Sequence, residues 1–291
     1  MSDLAIYDSV AAFLAVGKAL IAKGPIAIII VEDDVEVEST LRHHASVGFK
    51  HIIAVTRDPD DIPQGLELPL SIIAFDLTTP GAFVEPINAL IDAAPKAWFG
   101  YCFNAEYIFF PFCETRTVGE MSVFLMEERR DSALTYVVDL YAGDLRRYPT
   151  GVSTPAAQLD KSGYYALSRK DRWNNDIDRQ MDFFGGLHWR FEEHIPTKLR
   201  RIDRIGIFRA KPGLELLPDH TFSDPEYNTY ACPWHHSITG VIASFRTAKA
   251  LRRNPGSRHQ IETFRWHNSV KFSWSSDQLL DLGLMEPGQW F

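Results

Sequence analysis

Short, dominantly apolar runs punctuate the first half of the chain. They stand at 26–31 (IAIIIV), 50–55 (KHIIAV), 70–75 (LSIIAF), 98–103 (WFGYCF) and 133–141 (ALTYVVDLY). Between them, polar and apolar positions alternate at helical spacing over 8–23, 34–47, 82–93 and 117–130. Asp8 is placed to open the first helix and Gly24-Pro25 to end it; Gly48 stops the second, and Pro86 is expected to break the third. Strands that are apolar throughout are buried on both faces. Their alternation with helices predicts an α/β, Rossmann-like fold: a mostly parallel central sheet flanked by helices. Ligands of such sheets gather at the carboxyl ends of the strands. Chemistry is therefore expected just after Val31, Val55, Phe75 and Phe103.

The second half is less regular. Residues 145–180 are polar and basic with few periodic apolar positions, and read as a long loop or an excursion with short helices. Segments 200–210 and 237–247 read as strands, and 278–285 as a short closing helix. No repeat or low-complexity linker interrupts the chain, so residues 1–291 are expected to form one domain with an elaborated C-terminal half.

Composition narrows the function. With 45% apolar and 23% charged residues the chain belongs with globular proteins, not disordered ones. The net charge of −8 is unevenly spread: residues 1–150 hold 11 Lys and Arg against 22 Asp and Glu, and residues 151–291 hold 19 against 16. Within the second half, 246–271 carries seven basic residues and one acid, Glu262. General nucleic-acid binding is disfavoured by this balance, whereas a local anion site in the C-terminal half is not. Cys102, Cys113 and Cys232 are odd in number and show no paired spacing, which points to a reducing, cytoplasmic setting. No apolar run is long enough to span a bilayer and the amino terminus lacks a signal-peptide pattern, so membrane contact would be peripheral.

The common motifs are missing. There is no glycine-rich dinucleotide fingerprint, no Walker loop, no serine elbow and no HExxH. Adjacent side chains on a helix or strand diverge, so neither His43-His44 nor His235-His236 supplies two convergent metal ligands, and the Glu192–His194 run is no stronger. Two acidic clusters, Glu32-Asp33-Asp34 and Asp58-Pro59-Asp60-Asp61, follow the first two strands. Helix capping and solvation explain such carboxylates. Their position at strand ends also suits hydrogen bonding to a ribose or base.

Several ordered landmarks resemble the family 2-type, and related family 92-type, nucleotide-sugar glycosyltransferases. The stretch VEDDVEVESTLRHHASVGFKHIIAVTRDPDD has Glu32-Asp33 where that family places N-E, His43-His44 at its Y-H, Gly48 at its glycine, and Asp58, Asp60 and Asp61 in its nucleoside-reading loop. WFGYCFNAEYIFFP (98–111) has the spacing of W, a strand, D-x-D-E-F and a closing Pro; Glu106-Tyr107 match E-F, but Phe103 and Ala105 fill both aspartate positions. FFGG (183–186) fits a family glycine pair, and IASFRT (242–247) is similar to L-H-F-K, with Ser244 at the histidine and Arg246 at the lysine. The resemblance implies a GT-A-like fold, with residues 1–150 as the nucleotide-sugar half and 151–291 as the acceptor and phosphate side.

It also implies roles. Glu32, Asp33, His44, Asp58, Asp60, Asp61, Asn104 and Arg246 would bind the donor. A typical member holds a divalent cation on its aspartates, and Phe and Ala cannot coordinate one. Transfer without a metal is the expected consequence, with Arg246 meeting the donor phosphates. Asn104 and Glu106 read together as N-x-E leave a weak alternative site for Mn²⁺ or Mg²⁺. Glu106 or Asp139 would deprotonate the hydroxyl of a glycan or lipid-linked acceptor. Glu106 could equally orient the donor sugar, and Asp139 could equally cap its strand. Two competing readings remain: a non-catalytic homologue that binds nucleotide-sugars, glycans or proteins, and, less well supported, a nucleotidyltransferase, whose Gly-rich basic loop is missing here.

Overall fold

The structure, a computed structural model, describes residues 5–233 and 235–290. The first elements are Ala5–Tyr7 (β1), Val10–Ile21 (α1), Ile26–Val31 (β2), Val37–Ser46 (α2), His51–Thr56 (β3), Leu70–Ala74 (β4) and Val84–Ala93 (α3). Trp98–Phe103 (β5), Glu106–Phe109 (β6), Val118–Glu127 (α4), Ser132–Asp139 (β7), Tyr141–Ala142 (β8) and Ala157–Asp160 (β9) follow. The remainder comprises Tyr165–Lys170 (β10), Asp176–Phe184 (β11), Gly186–Arg190 (α5), Asp203–Arg209 (β12), Gly240–Ser244 (β13), Arg246–Arg253 (α6), Ser269–Lys271 (β14) and Ser276–Asp281 (α7).

The fold is α/β, with a large, mostly parallel sheet flanked by helices. The chain divides into two compact, interleaved units: Met1–Ile108 with Phe112–Leu134 and Ile205–Asn228, and Phe109–Pro111 with Thr135–Arg204 and Thr229–Phe291. In the first unit the strand order is β1-β4-β3-β2-β5-β12. The pairs among β1 to β5 are parallel, and β12 closes the series antiparallel to β5. Every residue of β2 and β5 is buried, as their unbroken apolar sequences require. Helix α2 lays Leu41 and His44 against this layer. Gly48, just beyond α2, adopts φ +97°, and a Cβ there would stand 2.7 Å from Thr117 Cβ, so the turn admits only glycine. Thr117 and Glu120 form a capping box on α4.

In the second unit β7 and β13 pair in parallel, with Ser244 beside Asp139 at their carboxyl ends. Strands β8, β9 and β14 form a small antiparallel sheet. Tyr141, Leu187, Leu251 and Phe264 belong to the apolar core of this unit.

Local details correct several sequence expectations. Ser9, not Asp8, caps α1, accepting from the Ala12 amide at 3.1 Å. Pro86 does not break α3, because it lies in the first turn, where its missing N–H has no intrahelical partner to lose. Segment 145–180 is neither a long loop nor a set of short helices; it contains β9, β10 and part of β11. Nearly every side chain of β10 is exposed, so no apolar alternation marks it; its backbone pairing with β11 makes it a strand. Segment 237–247 is a strand only through Ser244, after which α6 begins at Arg246. Among the described residues no helix is long and apolar enough to cross a membrane.

Candidate functional site

In the first unit the site begins at the turn between β5 and β6. Ala105 takes a left-handed φ of +62° and donates its amide to Thr40 Oγ1 at 2.9 Å. That turn aims Asn104, which is fully buried, at the loop after β2. Asn104 Oδ1 accepts the Glu32 amide at 2.9 Å. Its Nδ2 donates to Asp33 Oδ1 at 2.7 Å and to the Val35 carbonyl at 2.8 Å. Asn104 thus clamps the Glu32–Val35 loop to the end of β5. Asn104→Ala is expected to cost about 2–4 kcal/mol in urea unfolding, since it strands several buried polar groups. A loss under about 1 kcal/mol would contradict the clamp.

Glu106, proposed from sequence as a base or a donor-orienting group, is buried, with Oε2 accepting the Phe103 amide at 2.9 Å. The carboxylate closes the turn. Of the pair read above as a weak cation site, Asn104 has its amide committed to the Glu32–Val35 loop and Glu106 has Oε2 on the Phe103 amide.

The two acidic loops do converge. Asp61 has its carboxyl pushed above the ordinary range, first by partial desolvation and then by the negative charges of Asp58, Asp34 and Asp33, against which Arg57 works. Asp58 Oδ1 also accepts the Asp60 amide at 3.0 Å, capping the 3₁₀ turn Pro59–Asp61. Glu32, Asp58 and Asp60 are exposed and Asp33 and Asp61 partly so. They form an acidic rim at the carboxyl ends of β2 and β3. His44 does not join it. Its ring is fully buried against Phe49, with Nδ1 on the Thr40 carbonyl at 2.8 Å, and burial drives its pKa down to about 3. The expectation that His44 touches a donor is corrected by this position: it belongs to the core. His43 likewise lies inward, with Nε2 on the Ile108 carbonyl at 2.7 Å.

In the second unit Asp139 ends β7 and is buried. Its Oδ2 accepts the Leu187 amide at 2.7 Å, the His188 amide at 3.2 Å and His188 Nδ1 at 2.9 Å. Gly186 permits this approach: at φ +59°, a Cβ on it would stand 2.7 Å from Asp139 Oδ2. Asp139 Oδ1 is buried without a hydrogen-bond partner. The carboxylate only accepts, so in the neutral imidazole the proton sits on Nδ1 and the lone pair on Nε2. Nε2 lies 3.3 Å from Thr247 Oγ1, and the ring retains 15% of its surface in solvent. Ser244 pairs with Asp139 in the ladder, so Arg246 and Thr247, at the start of α6, emerge at the same strand end. Sequence reasoning placed Arg246 among strand residues; it is instead the first helical residue, partly exposed.

No protein-family profile matches the chain, and no curated protein does. Among solved structures it is similar to TarS 1–349 from S. aureus, crystallised in complex with UDP, with a TM-score of 0.27 and 14% identity over 60% of this chain. The match takes in 51% of that chain, so this protein spans about half of the relative it resembles. A likeness this slight assigns neither family nor ligand.

Of the residues singled out from sequence, Glu32, Asp33 and Asn104 meet at one strand end, with Asp58, Asp60 and Asp61 in the facing loop. Asp139 and the start of the helix carrying Arg246 lie at the end of another strand pair. His188 was missed. The FFGG signal lay immediately before it, but nothing local ties it to a carboxylate 49 residues away.

Proposed function

We propose that the chain is a GT-A-type glycosyltransferase homologue that transfers a sugar from a nucleotide-sugar to a hydroxyl of a glycan or lipid-linked acceptor. The observation that carries this reading is the Asp139–His188 pair at the carboxyl end of a parallel strand. Asp139 holds the imidazole in the tautomer whose Nε2 accepts a proton. An acceptor hydroxyl approaching Nε2 in the plane of the ring would lose its proton there as its oxygen bonds to the anomeric carbon. The carbon–oxygen bond to the diphosphate breaks in the same process, and the bonding pair leaves with the diphosphate. Arg246 supplies a fixed positive charge and paired N–H donors for that leaving group. Within the first unit, taken by itself, the acidic rim of Glu32, Asp33, Asp58, Asp60 and Asp61 offers acceptors of the kind that ribose hydroxyls need. No divalent cation is assigned a role, because Phe103 and Ala105 cannot coordinate one where the resembling family has aspartates.

The non-catalytic reading draws on a different observation. Phe103, Asn104, Ala105 and Glu106 are all buried, and Asn104 and Glu106 are committed to internal hydrogen bonds. This turn therefore supports the fold whether or not transfer occurs.

Calorimetric titration of the full chain with UDP-, GDP- and CMP-sugars, with and without Mn²⁺, separates the readings. The expected result is binding of one donor class without Mn²⁺, with Arg246→Ala weakening that donor by about tenfold and its bare nucleoside much less. Binding that requires Mn²⁺ would refute the metal-free assignment. Failure of all donors to bind would leave the non-catalytic module.

A further inference from the structure

Helix α5 carries the His188 imidazole and is little more than one turn, Gly186–Arg190. So short a segment does not hold a helix by itself in water, and its pose is set by what grips it. Asp139 takes the amino end, through the Leu187 and His188 amides and the His188 ring.

A second buried carboxylate takes the other end. Arg190 Nη1 donates to both oxygens of Asp160 at 3.1 Å, and Nη2 donates to the Phe264 carbonyl. The guanidinium also lies over the Trp266 ring, 4.7 Å from its centroid. Asp160 is itself fixed. Its Oδ1 accepts the Tyr141 hydroxyl, and Trp266 Nε1 at 2.7 Å, while its backbone is paired with Ser269 in the small sheet. The Arg190 side chain keeps 10% of its surface in solvent and that of Asp160 1%.

Successive side chains turn by about 100° on a helix, so those of His188 and Arg190 leave α5 about 200° apart, on nearly opposite sides. Asp139 grips one side and Asp160 the other. Leu187, fully buried in the core with Tyr141 and Phe264, anchors the turn but sets its roll only weakly, because apolar burial is non-directional. A guanidinium fork on a carboxylate is directional. An ion pair this buried adds little net stability over apolar side chains of the same volume, so orientation is its main contribution.

We infer that Arg190 is a positioning residue for His188: fixed on Asp160, it sets the roll of α5 that keeps Nδ1 on Asp139 and leaves Nε2 open. What Nε2 then does rests on the glycosyl-transfer reading; the positioning itself does not.

NMR of the full chain with isotopically labelled imidazole nitrogens tests this without any donor, the His188 signals being those lost in His188→Gln. At a pH where the ring is neutral, the wild type is expected to show Nδ1 protonated and Nε2 bare, the reverse of the form that free histidine favours. Arg190→Lys keeps a positive charge beside Asp160 but has no fork to span both oxygens and reach Phe264. It should admit the Nε2-protonated form and, with a donor in hand, lower kcat by about 10–100-fold while the donor KM stays within about twofold. Arg190→Gln/Asp160→Asn, which strands no buried charge, should do the same. Tyr141→Phe removes one donor from Asp160 and leaves the Arg190 bonds, so it should lower the urea midpoint and keep the wild-type tautomer. Nε2 already protonated in the wild type, an unaltered tautomer in an Arg190 variant that folds, or the same change in Tyr141→Phe would each overturn the inference. Failure of both Arg190 variants to fold would make the pair structural and overturn it as well. If the tautomer moves and no nucleotide-sugar supports transfer, Arg190 keeps its role and the transferase reading falls; if transfer proceeds and the tautomer stays, the positioning alone falls.

Discussion

Replacing Asp139 with asparagine is expected to lower sugar transfer by about 10²–10⁴-fold while leaving donor affinity within about twofold. The size follows from the carboxylate's charge. The carboxylate accepts the Nδ1 proton of His188 at 2.9 Å and thereby keeps Nε2 free to take a proton. All three bonds run to one oxygen, Oδ2, so an amide that keeps its oxygen there to receive the Leu187 and His188 amides still accepts from Nδ1, and what the variant loses is the negative charge that stabilises the imidazolium formed when Nε2 takes the proton. His188→Gln should bring a loss of the same order, and the double variant should be scarcely slower than either single one, because the two residues act as one unit. Rates from the donor found by titration, set beside calorimetric affinities, test this. A fall below about threefold, or additive losses, would remove the pair from the chemistry.

The second large effect is on stability. As the pH drops from 6.5 to 5, the protein is expected to lose about 2 kcal/mol of unfolding free energy through His44 alone. The ring is fully buried, and desolvation drives its pKa from 6.5 to about 3. In the unfolded chain the same imidazole takes a proton below about pH 6.5. The unfolded state then binds more protons than the folded one, so stability is complete above 6.5 and falls as the pH drops toward the folded value. The slope is about 1.4 kcal/mol per pH unit for one such group. His43, lowered to about 4, acts with the same sign. Urea unfolding of wild type and His44→Phe at pH 7.5 and 5 checks the point. The variant should lose about one proton's worth of slope between those values, and an unchanged slope would mean that His44 is not buried as a neutral ring.

Much of the first unit was legible because its signals are local. Six consecutive apolar residues in β2 bury both faces of a strand wherever that strand lies, and Gly48 is required by the backbone at its own position. Direction was less local: the His43 and His44 rings lie in edge contact with centroids 5.5 Å apart instead of diverging, each with one nitrogen on a backbone carbonyl. The failures have one cause. Pro86 was read for its residue type and not for its turn of the helix, which is decided by where α3 begins. Strand β10 has almost no buried residues, so only its pairing with β11 reveals it.

Residue identity alone also misjudged Asn104 and Glu106. Both are polar residues at a strand end, the place where ligands bind, yet their donors and acceptors are used on the chain itself. Burial decides between these outcomes, because a polar atom removed from water must find a partner in whatever surrounds it.

The sequence by itself determined the α/β class, the succession of strands and helices through the first half, the acidic loops behind β2 and β3, and the excess of positive charge near the C-terminal end. Only the tertiary structure decided that His188 meets Asp139, that Asn104 is a clamp, and that Arg190 ties α5 to Asp160. The physical reason is range. Hydrophobic periodicity and capping act over a few residues and are written in neighbouring letters. Hydrogen-bond partners and charge clusters depend on which distant segments the closed chain brings together, and no local pattern specifies that.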